Sequence, residues 1–313
     1  MSKKHHPQRD YAVYLVVRFV AAILQALPLH VGVSFARFLG WFAYQVDKRH
    51  REVARDNIRH AFPHLANQPE RVDAMVRGCY HHFCLMLVEL MFIPRRLHQE
   101  NWRKYCSEKN LGAVLDRLVA ERPLLIVTCH FGNWEVAGYV MGTTGFRSYA
   151  IARVLDNPHL EKYLKQFRQK TGQTILAKKG DFDQITSVMD ANGKIATLGD
   201  QDAGPRGLFV DFFNRPASTH KAVALMSIQF NAPMVVVGVP RVGGPMQYEI
   251  ICEEVIDPID YVNESNAVKK MTERFTQAIE RLVVQHPEQY FWLHRRWKHQ
   301  PAAKTKPKMS AIS

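Results

Sequence analysis

Pro123-Leu124-Leu125-Ile126-Val127-Thr128-Cys129, followed at once by His130-Phe131-Gly132-Asn133-Trp134-Glu135, decides how this chain is read. The first seven residues form a short, unbroken apolar run, which predicts a strand buried on both faces. Val136-Ala137-Gly138-Tyr139-Val140-Met141 follows and predicts a helix. A histidine thus falls where a strand ends, and a carboxylate falls in the first turn of the next helix. In open α/β sheets ligands bind beyond the carboxyl ends of strands. A histidine there can take a proton near neutral pH, and a nearby carboxylate can fix its tautomer and support its charged form. Such a pair turns a bound hydroxyl into a nucleophile. The other reading of the same residues is structural: a strand-end histidine and a helix-start acid.

Downstream, the same succession repeats. Strands are predicted at 147–153, 174–177, 194–198, 233–239 and 247–255. Helices are predicted at 157–171, 181–191, 217–230 and 267–285. That β-α-β-α order argues for an α/β fold, a sheet covered by helices. No glycine-rich dinucleotide or P-loop string follows any of the strands.

Upstream the character changes. Residues 1–10 are polar and basic and predict a mobile end. Tyr11 to Leu27 is apolar except for Arg18 and Gln25, and no small-residue cleavage site follows it. It suits a single membrane span, a helix lying in one leaflet, or a buried core helix. Pro28 breaks it. In the next helix Gly32, Ala36 and Gly40 recur every fourth residue, a stripe that lets another helix approach closely. Its aromatic residues suit a membrane interface or a helix-packing core. Lys48, Arg49, Arg51, Arg55 and Arg59 then lie on one amphipathic helix, either a lipid-facing basic patch or a solvated face. Residues 70–93 predict a long helix ended by Pro94, with His81 and His82 inside it. Adjacent histidines do not share a helix face, so they are poor joint metal ligands and read as headgroup-contacting or structural.

The 313 residues carry a net charge of +13, which points to an acidic partner. No zinc finger, helix-turn-helix or RNA-recognition pattern is present, so nucleic acid ranks last among such partners. Five cysteines, an odd number without a C-x-x-C, argue for reduced thiols. Cys129 beside His130 reads as a small core filler rather than a nucleophile.

Three further blocks follow strands or close the chain. Arg153-Val154-Leu155-Asp156-Asn157-Pro158 offers Arg153 as a planar fork for phosphate or an oxyanion, while Asn157 and Pro158 suit a helix start. Asp200-Gln201-Asp202 puts acids at a strand end, suited to a sugar hydroxyl or a neighbouring arginine more than to a metal. His286 to Lys298 is rich in tryptophan and arginine; Arg295 and Arg296 suit phosphate, and Trp292 and Trp297 suit an interface.

His130 and Glu135 form an H-x4-E pattern that resembles the lysophospholipid-acyltransferase-like superfamily. The string HFGNWE, with Arg153 before a D-N-P turn, Asp200-Gln201-Asp202, Phe212-Phe213-Asn214-Arg215-Pro216-Ala217 and the PEQYFWLHRRWK ending, is similar to the bacterial lipid A late acyltransferases, the lauroyl and myristoyl transferase branch. The matches run from about Tyr11 to Lys298. Asn214 departs from the glycine common in that family, and both residues tolerate positive φ. The aromatics beside it can line an acyl channel or pack a core.

The resemblance implies a mixed β-sheet flanked by helices, glycerolipid acyltransferase-like, with N-terminal membrane-associating helices. It divides the chain into a membrane anchor and helical platform at 1–97, a catalytic region at 98–300 and a basic tail at 301–313. It implies O-acyl transfer from an acyl thioester, acyl-acyl carrier protein above acyl-CoA, to a hydroxyl of a lipid A precursor or related glycolipid. His130 is then the general base and Glu135 its orienting carboxylate. Gly132, Asn133, Arg153, Asp200, Asp202, Arg215, His294, Arg295 and Arg296 are the candidate substrate-binding residues. No metal or organic cofactor is expected. The expected partners are acyl carrier protein, the glycolipid acceptor and an anionic membrane surface, and the expected place is the cytoplasmic face of a bacterial inner membrane. Acylation of another lipid, such as a lysophospholipid or a phosphatidylinositol mannoside, and thioester hydrolysis are the competing chemistries.

Overall fold

The structure, a computed structural model, describes residues 6–169, 172–177 and 181–301. The last two residues of the helix expected at 157–171, and nearly all of the basic tail, lie outside the described residues.

Four helices open the chain: α1 (Pro7–Ala26), α2 (Leu29–Val46), α3 (Lys48–Ala61) and α4 (Pro69–Arg96). There follow β1 (Cys106–Lys109), α5 (Gly112–Val119), β2 (Leu124–Thr128), α6 (Trp134–Thr143), β3 (Ser148–Ala152), α7 (Pro158–Gln169), β4 (Gln173–Ala177), α8 (Phe182–Asp190) and β5 (Lys194–Leu198). Then come β6 (Leu208–Phe212), β7 (Arg215–Thr219), α9 (Ala222–Gln229), β8 (Met234–Gly238), β9 (Tyr248–Ile256) and α10 (Ala267–Gln285).

Seven strands form one sheet in the order β1-β9-β8-β2-β5-β3-β4. Pairing is parallel except between β8 and β9, so the sheet is mixed, as the sequence led us to expect. The apolar run that opened the reading, β2, is central, and all five of its residues are buried. Period-two alternation divides them between two cores. Leu125 and Val127 join Phe275, Ile279 and Leu282 of α10 and Ile58, Val76 and Cys79 of α3 and α4. Leu124 and Ile126 face the opposite core with Val114 and Leu118 of α5 and Val136 and Val140 of α6.

The small-residue stripe on α2 does what its spacing predicts. A Cβ on Gly40 would meet the His81 Cα of α4 at 2.8 Å, and one on Gly32 would meet the Phe92 ring at 2.7 Å. Only hydrogen at these positions lets the two helices approach so closely.

Several expectations are corrected. Residues 7–10 are the first turn of α1, not a mobile end, and Pro7 suits that position because its missing N–H is not needed there. Pro94 does not end α4, which runs on to Arg96. The helix expected from Ala217 begins at Ala222, because residues 215–219 pair antiparallel with β6 instead. A two-residue turn, Phe213-Asn214, joins those strands, with φ of 51° and 58°. Positive φ at both central positions is the turn that matches strand twist. The bulky Phe213 is held in it by packing on Phe62 and Trp292 and by the Glu280 carboxylate, which accepts its N–H at 2.8 Å. The sequence reading missed β1 and α5, both short, between the long helix and β2.

Candidate active site

β2 and β5 are neighbours, with Thr128 directly opposite Leu198. Gly199 continues the ladder by donating its N–H to the Thr128 carbonyl at 2.8 Å. His130 and Asp200 each stand two residues beyond the paired ends, so register alone brings them side by side. The His130 Nδ1 lies 2.8 Å from Asp200 Oδ1, and the His130 backbone N–H donates to Asp200 Oδ2 at 3.0 Å.

Here the structure corrects the sequence reading. The carboxylate that grips the His130 ring is Asp200, not Glu135. Glu135 accepts from Arg168 of α7 through both its oxygens, Oε2 from Arg168 Nε at 2.9 Å and Oε1 from its Nη2. The first turn of α6 carries Glu135 towards α7, away from the β5 end that supplies Asp200. Glu135 still acts on the ring through its charge. Burial pulls the His130 pKa down, but the Asp200 charge and hydrogen bond, and then the Glu135 charge, outweigh it, so the net shift is upward. Asp200 is pushed up by its own burial and pulled further down by His130 and Arg296, so it stays ionised.

With Nδ1 committed to Asp200, a neutral ring leaves its Nε2 lone pair for a proton. On that side the Gln201 Nε2 lies 3.3 Å from His130 Nε2. Trp134 packs edge-on against the ring with centroids 5.0 Å apart, and Phe291 lies on it at 6.1 Å.

The turn after β2 is clamped from three sides. Gly132 has φ +60°, and a Cβ there would meet the Val239 carbonyl oxygen at 2.0 Å, so glycine is required. The C-terminal segment lies antiparallel along the turn: Phe291 donates its N–H to the His130 carbonyl at 2.9 Å, and Gly132 donates to the Gln289 carbonyl at 3.1 Å. From α4, His82 donates Nε2–H to the Gly132 carbonyl at 3.1 Å and accepts at Nδ1 from Arg241 at 2.9 Å. Those two partners fix a neutral tautomer. Burial, then the Arg241 charge, pushes the His82 pKa down to about 3. Arg241 is itself paired with the fully buried Glu89. None of this was legible in the sequence beyond the structural option given to the two histidines.

Between the sheet and α5 and α6 lies a cavity of about 310 Å³, separated from His130 by Trp134, whose ring packs on the imidazole. Ile126, Val140, Met141, Phe146, Ile151 and Val237 give it apolar walls, while Thr128, Trp134, Glu135 and Arg168 line it nearest the histidine.

The remaining candidates divide. Asp202 donates its N–H to His294 Nε2 at 3.1 Å, and its carboxylate holds His299 at 2.7 Å; His294 in turn feels the charges of Asp200 and His130. Asn133 is buried and donates to the Tyr248 hydroxyl at 3.2 Å, which makes it part of the turn's frame. Arg153 is exposed and paired with Asp156 at 2.8 Å. Arg215 lies over the Trp297 ring, 5.8 Å from its centroid. Arg295 is exposed, but Arg296 is buried. It donates to the Ser218 carbonyl and the Thr219 hydroxyl, both at 2.7 Å, so the two arginines do not form one surface grip. Trp292 and Trp297 are core residues and not interface anchors, and Phe212 and Phe213 pack the core and do not line the cavity. Cys129 is fully buried, and burial then Asp200 push its thiol well up, which leaves no thiolate for nucleophilic attack.

A histidine steadied by a buried aspartate at a strand end, near an apolar cavity, is an arrangement that can take a proton from a hydroxyl. The sequence matches the bacterial lipid A biosynthesis acyltransferase family over residues 2–299, and the chain belongs to that family. It is an acyltransferase of lipid A biosynthesis. It is 25% identical over 287 residues to the lipid A biosynthesis palmitoleoyltransferase of Escherichia coli K12, covering 89% of each chain. It is 24% identical over 303 residues to the lauroyltransferase of the same strain, covering 95% of this chain and 94% of the relative. A lipid A biosynthesis acyltransferase of Haemophilus influenzae is 22% identical, over 88% and 86%. Among solved structures, the 1-acyl-sn-glycerophosphate acyltransferase of Thermotoga maritima aligns with a TM-score of 0.37 and 11% identity, over 81% of this chain and 97% of that one.

Proposed function

We propose that the protein moves a fatty acyl chain from acyl-acyl carrier protein to a hydroxyl of a lipid A precursor, with His130 as general base and Asp200 as the carboxylate that orients it. The observation that carries this reading is the 2.8 Å contact of His130 Nδ1 with a buried, ionised Asp200, which leaves Nε2 as the proton acceptor. The acceptor hydroxyl gives its proton to Nε2 as its oxygen attacks the thioester carbonyl. The C–S bond then breaks, and the imidazolium returns the proton to the leaving thiolate. The first amides of α6 supply donors for the developing oxyanion. The step needs no metal or organic cofactor.

The donor's chain occupies the apolar cavity, and Glu135 with Arg168 forms its polar wall towards the histidine. Glu135 is a member of the catalytic machinery through its charge on the ring. Asp202, His294 and the exposed Arg295 belong to the acceptor side, where phosphates and sugar hydroxyls need polar partners. The net charge of +13 suits an acidic carrier protein and an anionic bilayer.

α1 lies against the body of the protein and does not project from it. Its Tyr14 packs on Tyr163 of α7, and its Gln25 donates to the Met91 carbonyl of α4 at 2.9 Å. Beyond its first turn its outward residues are apolar except for Arg18, among them Val16, 62% exposed, and Phe19, 67% exposed. Phe38, Trp41 and Phe42 of α2 are also exposed. This supports an in-plane helix over a single span, and we place it at the cytoplasmic face of a bacterial inner membrane, where the carrier-protein donor would be met. Among the described residues α4 alone is long and apolar enough to cross a membrane, but 56% of its apolar window is buried, and its His82 holds the Gly132 carbonyl while its Glu89 holds Arg241.

The test is to incubate purified protein with lauroyl-acyl carrier protein, with and without a lipid A precursor, and to follow thiol release and acceptor mass together. Thiol release that depends on acceptor and matches ester formation is expected, and His130→Gln should abolish both. Thioester loss at the same rate without acceptor would make the protein a thioesterase, and full transfer by His130→Gln would remove the base.

A further inference from the structure

We infer that Gln201 is a gate on the base: its amide N–H occupies the His130 Nε2 lone pair until the acceptor hydroxyl displaces it, and so keeps water from attacking the acyl thioester. This rests on His130 being the base.

The argument starts from the two ring nitrogens. Asp200 takes the Nδ1–H, so Nε2 of the neutral ring is bare and can only accept. The Gln201 Nε2 lies 3.3 Å from it, a long contact at the weak end of hydrogen-bond geometry. A weak partner suits a group that must leave once per turnover. Gln201 is the residue directly after Asp200, so the segment that orients the ring also caps it.

A cap matters because a transferase works in water. When water is the nucleophile, its oxygen bonds to the acyl carbon, His130 Nε2 takes its proton, the C–S bond breaks and the proton passes to the thiolate. The products are a free fatty acid and a thiol. Nothing in the His130–Asp200 pair distinguishes water from an alcohol. A bulky acceptor, held by contacts elsewhere, can push the amide aside; a single water has only its own hydrogen bonds with which to do so.

The groups that set the ring's charge are Asp200 after β5, Glu135 on α6 and His294 from the C-terminal segment, with Arg296 and the buried Tyr290 phenol acting on Asp200. Gln201 adds no charge. A carboxylate in its place would accept from a protonated Nε2 and hold the ring protonated.

The experiment uses full-length protein, lauroyl-acyl carrier protein and a lipid A precursor, and reads free fatty acid against acylated acceptor. Gln201→Met, close in shape but without the amide, should raise the hydrolysis-to-transfer ratio roughly two- to fivefold, the worth of one weak hydrogen bond. Gln201→Ala should do the same. Gln201→Glu should move the acidic limb of the rate profile to higher pH. An unchanged ratio in the folded Met and Ala variants, or loss of both reactions in them, overturns the gate, as does an unmoved limb in Gln201→Glu. Failure of the gate alone leaves His130→Gln inactive with every acceptor, whereas an active His130→Gln would show instead that the base is misassigned.

Discussion

Burial alone would lower the His130 pKa, because a charged imidazolium loses its hydration. Asp200 reverses the sign, and Glu135 adds to the reversal. Only the neutral ring can take a proton, so turnover should fall as pH drops through a pKa above the ordinary histidine value. In Asp200→Asn the largest upward influence is gone and the amide can hold the wrong tautomer. Transfer should drop by about 10³-fold or more, and the acidic limb should move to lower pH, both read from kcat/KM against pH. Glu135→Gln should move the limb less, because that charge is the smaller contribution. His130 was legible from the sequence because a strand, a histidine and a helix follow one another within a few residues. Its true partner was not. Glu135 and Asp200 were both visible as acids at an element's end, but which one reaches the ring depends on β5 lying next to β2, and strand order is a property of the whole sheet.

α4 shows how an element can be predicted well and its purpose missed. Its length and apolar stripe are plain from spacing, yet its polar residues carry the link to the catalytic turn: Glu89 holds Arg241, Arg241 holds His82, and His82 holds the Gly132 carbonyl. Removing one partner of a buried ion pair leaves the other charge without compensation. Arg241→Ala should cost about 3–5 kcal/mol in denaturant unfolding, while the double replacement Glu89→Met with Arg241→Met should cost clearly less. A loss in the double variant equal to that of the single one would assign the stability to packing. The β6–β7 hairpin failed differently. Ala217 to Phe230 is apolar enough to pass for one helix, and only the Phe213-Asn214 turn, with two residues at positive φ, marks where the strand must return. The small-residue stripe of α2 succeeded because its signal is local: glycine and alanine at every fourth position leave a groove for whatever helix arrives, and α4 fills it.

At the scale of the molecule, the same sheet face that ends in His130 backs the apolar cavity, and the exposed apolar residues of α1 and α2 lie on helices packed against the body. Lys48, Arg49 and Arg59 of α3 are exposed, whereas Arg55 is taken up by Asp73 and Arg51 by the Tyr44 carbonyl. The basic cluster is therefore part surface charge and part scaffold, a division that composition does not reveal. Replacing Phe38 and Trp41 together by glutamate should reduce flotation with anionic lipid vesicles by at least tenfold while leaving the unfolding midpoint unchanged, because both side chains face outward. Retained binding at low salt that disappears at high salt would give the attachment to charge instead.

The central claim is that Asp200, across the sheet, sets the tautomer and the charge of His130. Nitrogen-15 resonance of the His130 ring, titrated in the wild-type protein and in Asp200→Asn and Glu135→Gln, tests it directly. The account predicts an Nδ1–H tautomer with a pKa above that of a free histidine, both lost in Asp200→Asn, and the tautomer kept in Glu135→Gln. An Nε2–H tautomer in the wild type, or a pKa that collapses in Glu135→Gln and stands unmoved in Asp200→Asn, would contradict it.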